Sequence, residues 1–199
     1  VAAIRSQNDE AARRLTVAIN LYRQLGVPPL ETLAGALSNR GMVAERQGDT
    51  AQAVAFYSQA MNIAKTVLPG TTVQAKAENN LAVTLMNQGR LQEARALLVS
   101  ALTINREHGD QALSVARNLS NLARINARLG NVDGAESARR EIIELYTAIS
   151  ADGTELGFSY QALGDLARLR GDRPAAIDAY EKAQEQLGKV APESEIYAE

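Results

Sequence analysis

Four glycines spaced by 41 residues constrain this chain more than any other feature of its sequence. These turn glycines, Gly48, Gly89, Gly130 and Gly171, lie in similar surroundings that read ERQGDTAQA, MNQGRLQEA, ARLGNVDGA and RLRGDRPAA. A small residue stands seven positions before each of them and an alanine stands five positions after. Repetition at such a period indicates an array in which one supersecondary unit is copied along the chain.

Each repeat is predicted to be a helix, a turn and a second helix. A glycine at the end of the first helix, helix A, suits the left-handed conformation of a C-cap. Asp49, Asn131 and Asp172 suit the N-cap of the following helix B, and Pro174 suits its first turn. Small residues beside the turn let the two helices approach closely. Larger residues are expected to fill the space between neighbouring repeats: Tyr57, Leu81, Leu98, Leu122, Leu163 and Tyr180.

The composition favours an all-α fold, because strong helix formers dominate and the chain has only two Phe and no Trp. Breaks at 25–29, 68–70, 108–110 and 150–153 separate the repeats. The predicted helices are 9–25, 31–47, 50–67, 72–88, 91–107, 111–129, 132–149, 154–170 and 173–187. We therefore expect a single array over 1–199, with repeats at about 29–69, 70–110, 111–152 and 153–190.

Both ends of the array are expected to be partial repeats. Ala12 falls 41 residues before Ala53, so 1–28 is a partial repeat in which residues 1–7 align with the tail of a helix A. At the other end, PESEIYAE resembles PLETLAGA at 29–36, and 191–199 begins a further repeat or forms a capping tail. Because the chain begins with Val1, we expect a piece of a longer protein. Open array ends would also permit self-association.

Charge and composition exclude several classes of partner. A formal net charge of −2 gives no reason to expect binding to nucleic acid or to an anionic membrane. The chain has no Cys, which suits a reducing compartment, and no apolar run approaches the ~20 residues of a membrane-spanning helix. We expect a cytoplasmic protein.

No group of residues predicts catalysis, a metal site or a cofactor. His108 is the only histidine, and its place in the HGD break predicts an exposed position at a helix end. One His without Cys cannot form a zinc site of the common type. The nucleotide-binding, nucleophile-elbow and zinc-protease motifs are absent from the sequence. We expect no enzymatic activity.

The spacing of small residues, G/A-x₆-G-x₄-A-x₆-A, resembles the tetratricopeptide repeat over nearly the whole chain. That repeat usually has about 34 residues, and the longer period here is similar to the long-helix subclass of kinesin light chains, LGN-type scaffolds, Rap-type regulators and MalT-like activators. The resemblance implies a right-handed α-α superhelix whose A helices line the concave face.

An asparagine column lies nine residues before the turn glycines, at Asn39, Asn80 and Asn121, with Ala162 in the fourth repeat. The resemblance implies that these residues form an asparagine ladder, whose side-chain amides bind the backbone of an extended peptide. One amide can both donate to a carbonyl and accept from an N–H group. The alternative is an architectural role, in which the asparagines bind the next helix or water.

Basic residues share the predicted concave face: Arg46, Lys76, Arg117, Arg124, Arg128 and Arg168, together with Asn87. An Arg-lined groove favours an acidic segment or a terminal carboxylate. Glu45 and Asp165 interrupt it, and a solvated polar face is the alternative. Met42, Val83 and Met86 form either an apolar patch on this surface or internal packing.

These patterns predict a protein-interaction module that binds an extended peptide segment in its concave groove. The alternative is an effector-sensing or regulatory domain of a bacterial signalling protein or transcription regulator. A purely architectural array that associates through its ends is a third interpretation.

Overall fold

The computed structural model describes residues 2–24, 30–108, 112–149 and 153–190, and the secondary structure of this part is entirely helical. Its nine helices are α1 (Ala2–Gln24), α2 (Leu30–Arg46), α3 (Thr50–Val67), α4 (Thr72–Asn87), α5 (Leu91–Glu107), α6 (Ala112–Arg128), α7 (Val132–Ala148), α8 (Gly153–Arg170) and α9 (Arg173–Val190). They belong to two compact units, Val1–Asp110 and Gln111–Glu199. The all-α prediction is confirmed.

Helices α2 to α8 begin and end within one residue of their predicted limits. Helix α1 differs, because it runs without a break from Ala2 to Gln24. The expectation that residues 1–7 end a separate helix A is therefore wrong. Gln7 stands where the later repeats have a turn glycine, and a left-handed turn costs a residue with a Cβ about 1–2 kcal/mol. The prediction for 191–199 lies outside the described residues.

The turns within the repeats have the predicted caps. All four turn glycines adopt a positive φ, between 75° and 80°. The Asp49 carboxylate accepts a hydrogen bond from the Gln52 backbone N–H at 2.9 Å. Asn131 and Asp172 cap α7 and α9 in the same way, at 3.0 and 3.1 Å. Helix B therefore starts at a defined residue in these three repeats.

The first and fourth helical hairpins are closed by a contact between a glycine on helix A and a tyrosine on helix B. We call the residues seven before and nine after a turn glycine the hairpin pair. A Cβ added to Gly41 would lie 2.8 Å from the Tyr57 ring, and one added to Gly164 would lie 2.5 Å from the Tyr180 ring. Each tyrosine therefore contacts a glycine of its own hairpin, a contact that the sequence analysis did not predict. No larger residue than glycine fits opposite them without a shift.

In the first unit, α1 packs on the α2–α3 hairpin, and α3 also contacts α4, which pairs with α5. The core at the α2–α3 hairpin consists of aliphatic and small residues that are almost fully buried, including Ile19, Leu33, Leu37, Ala60 and Ala64. Alanines at these contacts let the helices approach while removing apolar surface from water. The second unit consists of the α6–α7 and α8–α9 hairpins, with α7 packed against α8.

A hydrogen-bonded network joins three helices of the first unit. The Tyr57 hydroxyl on α3 donates to Glu45 Oε2 on α2 at 3.0 Å, and the Thr84 hydroxyl on α4 donates to Glu45 Oε1. Tyr57 is almost fully buried. Its burial, and then the charge of Glu45, raise the pKa of the Tyr57 hydroxyl well above its usual range.

The hairpin pair predicts a compensating double substitution. Gly41→Ala should lower the free energy of unfolding by about 1–3 kcal/mol, because the new methyl group would meet the Tyr57 ring. Adding Tyr57→Leu should recover part of this loss, because Ala82 and Leu98 occupy the same positions in the next repeat, while the hydrogen bond from Tyr57 to Glu45 is lost. Urea unfolding followed by circular dichroism measures both effects.

Gly35→Ala is the matched control on the same helix. A Cβ at Gly35 meets nothing within 4 Å, so this substitution should raise the free energy of unfolding by roughly 0.5–1 kcal/mol through helix propensity alone. Equal effects of the two substitutions would show that the contact with Tyr57 imposes no constraint.

The raised pKa of Tyr57 predicts a loss of stability in alkaline solution. An unfolded tyrosine titrates near pH 10, so above about pH 10 the unfolded state binds fewer protons than the folded state. The contribution of this shift to stability is complete below that pH and is lost as the pH rises toward the folded pKa. Between about pH 9 and pH 11 the free energy of unfolding should fall more steeply in the wild type than in Tyr57→Phe. Parallel slopes in urea unfolding would contradict this assignment.

Candidate binding surface

Four register positions of each helix A point away from its hairpin partner. They lie 13, 9, 6 and 2 residues before each turn glycine, a spacing that follows one side of a helix. We call them the A-helix face. The positions are Gly35, Asn39, Met42 and Arg46 in α2; Lys76, Asn80, Val83 and Asn87 in α4; Arg117, Asn121, Arg124 and Arg128 in α6; and Phe158, Ala162, Asp165 and Leu169 in α8. All except Asn121 are exposed or half-exposed.

In the first unit, the A-helix faces of α2 and α4 form the two walls of an open groove of about 310 Å³. Asn39 lines it from α2, and Lys76 and Asn80 line it from α4. The small residues Gly35 and Ala77 also line the groove and leave it wide. The structure therefore brings three of the predicted site residues together.

The two asparagine amides in this groove are available to a ligand. The Asn39 side chain is exposed and that of Asn80 is half-buried. The Asn80 backbone carbonyl lies 3.1 Å from the hydroxyl of Thr84, which donates to Glu45, and the Asn80 side-chain amide takes no part in this contact. Within the described part of the chain, neither side-chain amide hydrogen-bonds to another residue. Each amide can therefore offer both a donor and an acceptor to the groove.

Asn121 has a different environment although it occupies the same register. It belongs to α6 of the second unit, and only 9% of its surface is exposed. Asn118, one turn earlier on α6, is buried even more completely. The structure thus groups Asn39 with Asn80, and the continuous ladder of three asparagines stays a prediction.

The predicted basic residues are divided between the units. Arg46 is exposed at the end of α2, where its Nη2 lies 3.9 Å from the Met42 sulfur, and Asn87 is exposed at the end of α4. Arg117, Arg124 and Arg128 are exposed along α6, a helix without Asp or Glu. Lys76 is the basic residue that lies in the groove of the first unit.

Burial and hydrogen bonding define the environment of three further residues named in the sequence analysis. Met86 is fully buried, so it contributes to packing and not to an apolar surface patch with Met42 and Val83. The Glu45 carboxylate bonds to groups on α3 and α4 and does not interrupt the basic surface. The Asp165 carboxylate accepts from the Tyr180 hydroxyl at 2.9 Å, although it does lie on the A-helix face.

A buried polar pair that the sequence analysis missed lies on α4. Gln74 Nε2 donates to Glu78 Oε1 at 2.7 Å, and Gln74 Oε1 accepts from the Gly70 backbone N–H at 2.8 Å. The Gly70 carbonyl in turn contacts the imidazole Nε2 of the exposed His108 at the end of α5. These contacts hold the loop before α4, the helix that carries Lys76 and Asn80.

The repeat alignment contains the signal for this pair. Glu78 occupies a column that holds Leu37, Leu119 and Tyr160 in the other repeats, and Gln74 likewise replaces an aliphatic residue. Glu78 is only 2% exposed. A polar residue in an otherwise apolar column therefore marked a buried hydrogen bond.

No cluster of three or more His, Cys, Asp or Glu suited to holding a metal occurs where the structure describes the chain. None of the helices, over their described lengths, combines the length and the hydropathy needed to cross a bilayer.

Known structures with similar folds cover most of the chain. BtubC (BKLC) from P. vanneervenii superimposes with a TM-score of 0.87 at 20% identity, over 94% of this chain and 76% of that one. A putative kinesin light chain with nearly identical TPR-like repeats, from Podospora anserina, gives 0.73 at 19% identity, over 96% and 97%. A Rap protein complexed with Competence and Sporulation Factor gives 0.70 at 18% identity, over 89% of this chain and 50% of the other. At these identities the likeness concerns the fold.

Comparison of sequences identifies the family of the chain more directly than comparison of folds. No curated protein matches the chain significantly. A family model for the tetratricopeptide repeat matches residues 73–148 and 114–187, and a second tetratricopeptide model matches 34–66. These matches cover all four hairpins and more than half of the chain. The chain therefore belongs to the tetratricopeptide repeat family.

Proposed function

We propose that this chain binds an extended peptide segment of a protein partner along its A-helix face, with the amides of Asn39 and Asn80 holding the peptide backbone. Tetratricopeptide arrays are protein-interaction modules, and the fold and the repeats make this chain one. The observation that carries the finer proposal is the open groove of the first unit, into which two neighbouring helices present an asparagine.

The chemistry of the groove suits a peptide backbone. An extended segment exposes an N–H and a C=O group at each residue, and one asparagine amide can bond to both. Such contacts have little sequence preference, because every residue other than proline carries the same two groups. Two asparagines from adjacent helices A would hold the segment at two points and set its direction across the repeats.

The remaining predicted site residues extend this proposal along the same register. Asn121 continues the asparagine column into the second unit, although its side chain is more buried than those of Asn39 and Asn80. Asn87 offers a further amide at the end of α4. The basic residues of the A-helix face would favour acidic side chains through charge-assisted hydrogen bonds, Arg46 and Lys76 in the first unit and Arg117, Arg124 and Arg128 in the second.

The Rap protein with a similar fold was solved in complex with Competence and Sporulation Factor, so an array of this type accommodates a bound factor in that protein. We place the ligand of this chain on the A-helix face for a separate reason. Asn39, Lys76 and Asn80 line one groove there, and both amides are available.

Substitution of the two groove asparagines tests the proposal. The probe is a pool of fluorescein-labelled peptides of roughly ten residues with randomised sequence, enough to span about 33 Å when extended. Binding to the full chain is measured by fluorescence polarisation. The double substitution Asn39→Ala/Asn80→Ala should weaken the binding of selected peptides about tenfold or more, because each amide loses hydrogen bonds worth roughly 0.5–1.5 kcal/mol.

Asn20→Ala is the matched control, since Asn20 is an exposed helical asparagine on α1, outside the A-helix face. It should leave peptide affinity unchanged. Circular dichroism melting checks that the double variant is folded. Unchanged affinity of the folded double variant would overturn the role of the asparagines, and the absence of any bound peptide would overturn peptide binding itself.

A further inference from the structure

Arg40 on α2 stands where the other three full repeats have leucine. The position lies eight residues before the turn glycine, and it holds Leu81, Leu122 and Leu163 in those repeats. Leu81 lines a groove between α3 and α5, and Leu163 lines the cleft between α7 and α9. Arg40 occupies the same register on the helix between α1 and α3. Because an uncharged side chain serves at this position elsewhere, packing alone does not require a guanidinium here.

The Arg40 guanidinium is held in place but makes few hydrogen bonds. Its Cζ atom lies 4.9 Å from the centroid of the Phe56 ring on α3, in a cation–π contact. Its Nη2 lies 3.5 Å from Gln52 Oε1, which is long for a hydrogen bond. Nε and Nη1 are buried and have no hydrogen-bond partner among the described residues. We call Arg40, Gln52 and Phe56 the Arg40 site.

The carboxylates of the surrounding helices are engaged elsewhere. Helix α3 contains no Asp or Glu. The acids of α1, of α2 and of the turn after α2 have other partners or places: Asp9 with Gln47, Glu10 with Arg13 and Arg14, Glu31 in the groove of Asn39, Glu45 with Tyr57 and Thr84, and Asp49 with Gln52. No acid in the described part of the chain forms an ion pair with Arg40. A cation removed from water without a paired charge is destabilising, which makes it a candidate for binding an anion.

The surroundings of the Arg40 site are basic and accessible on the α1 side. Arg23 Nη2 on α1 donates to the neutral Gln59 Oε1 on α3 at 2.8 Å. Gln59 has the register of Lys182, which lines the cleft between α7 and α9. On α1, Val17 has the register of Ser58 in the groove between α3 and α5, and it is 58% exposed. An exposed side chain can rotate, so α1 does not close this position to a small ligand.

We propose that the Arg40 site binds the carboxylate of a small organic acid between α1 and α3, independently of peptide binding on the A-helix face. A guanidinium binds a carboxylate through two parallel hydrogen bonds along one edge. Such an edge of Arg40 combines Nη2 with Nε or with Nη1, so the ligand replaces the long contact to Gln52 and satisfies a buried N–H group. Arg40 is half-buried, and its single charge matches a carboxylate, whereas phosphate would bring a second charge out of water.

Titration of the full chain with sodium acetate at neutral pH tests the site, with sodium chloride added to hold the ionic strength constant. Proton–nitrogen NMR follows the Nε–H signal of Arg40, which is assigned from its absence in Arg40→Lys. The signal should shift along a saturable curve with a dissociation constant of about 1–10 mM. Inorganic phosphate should bind about threefold or more weakly. No saturable shift up to about 100 mM acetate would overturn the site, and tighter binding of phosphate would overturn the carboxylate assignment.

Three variants measure the same response by thermal unfolding. Arg40→Leu introduces the residue of the other repeats and should fold. Acetate at about ten times the dissociation constant should raise the melting temperature of the wild type by roughly 3–5 °C more than that of Arg40→Leu. Arg40→Lys keeps the charge without the planar edge and should bind acetate about fivefold or more weakly. Arg14→Leu is the control, because Arg14 is an exposed arginine of α1 paired with Glu10, and it should respond as the wild type does.

The remaining outcomes separate a binding site from an effect of salt and identify the source of the carboxylate. Equal increases in the melting temperatures of the wild type and Arg40→Leu would overturn the site. If Arg40→Leu does not fold, the NMR titration of the wild type and the response of Arg40→Lys decide. Propionate and an end-blocked Gly-Glu-Gly peptide present the same group in two forms. Tighter binding of propionate supports a small organic acid, and tighter binding of the peptide would overturn it in favour of a protein side chain.

Discussion

The distance between the two helices of a hairpin is the constraint on which the rest of this structure depends. At Gly41 and Gly164 a ring from helix B lies so close to helix A that not even a methyl group fits between them. The turn glycines, with φ near +80°, reverse the chain so that this contact can form. Once the residue seven before the glycine faces helix B, the side chains 13, 9, 6 and 2 positions before it are directed elsewhere, which defines the A-helix face.

The same contact explains why sequence periodicity predicted the helices so well. The left-handed turn requires glycine, the next helix requires a capping side chain, and close packing requires small residues. Each of these local requirements is visible in the sequence as a residue type at a fixed position. Prediction was wrong at α1, because the spacing Ala12–Ala53 was followed through a position where Gln7 replaces the glycine. It also missed the contacts of Tyr57 and Tyr180 with the glycines of their own hairpins. In the sequence, tyrosine stands on helix B in the two repeats that have glycine at the facing position of helix A, Gly41 and Gly164. This pairing indicates a contact inside the hairpin.

The candidate site was less predictable than the fold, because register defines a direction on a helix but not what lies there. Asn39, Asn80 and Asn121 share one register, yet their side chains are exposed, half-buried and buried. These differences arise from residues elsewhere along the chain, which a single repeat does not reveal. In the same way, Met86 could be assigned from the sequence either to the surface or to internal packing, and it is fully buried. The sequence shows that the α8 face carries Phe158 and Leu169, but it does not show that both side chains are exposed.

The hairpin pairs also bear on how an array of this kind can grow or be rearranged. Glycine faces tyrosine in the first and fourth repeats, whereas Ala82 has Leu98 as its counterpart and Ala123 has Arg139. A crossover that joined helix A of the second repeat to helix B of the first would set Ala82 against Tyr57, where the ring leaves no space for a methyl group. Crossovers in the loops between repeats would keep every pair intact. Gene duplication and engineered chimeras in this chain should therefore exchange whole hairpins, and the heritable module is the matched pair of helices.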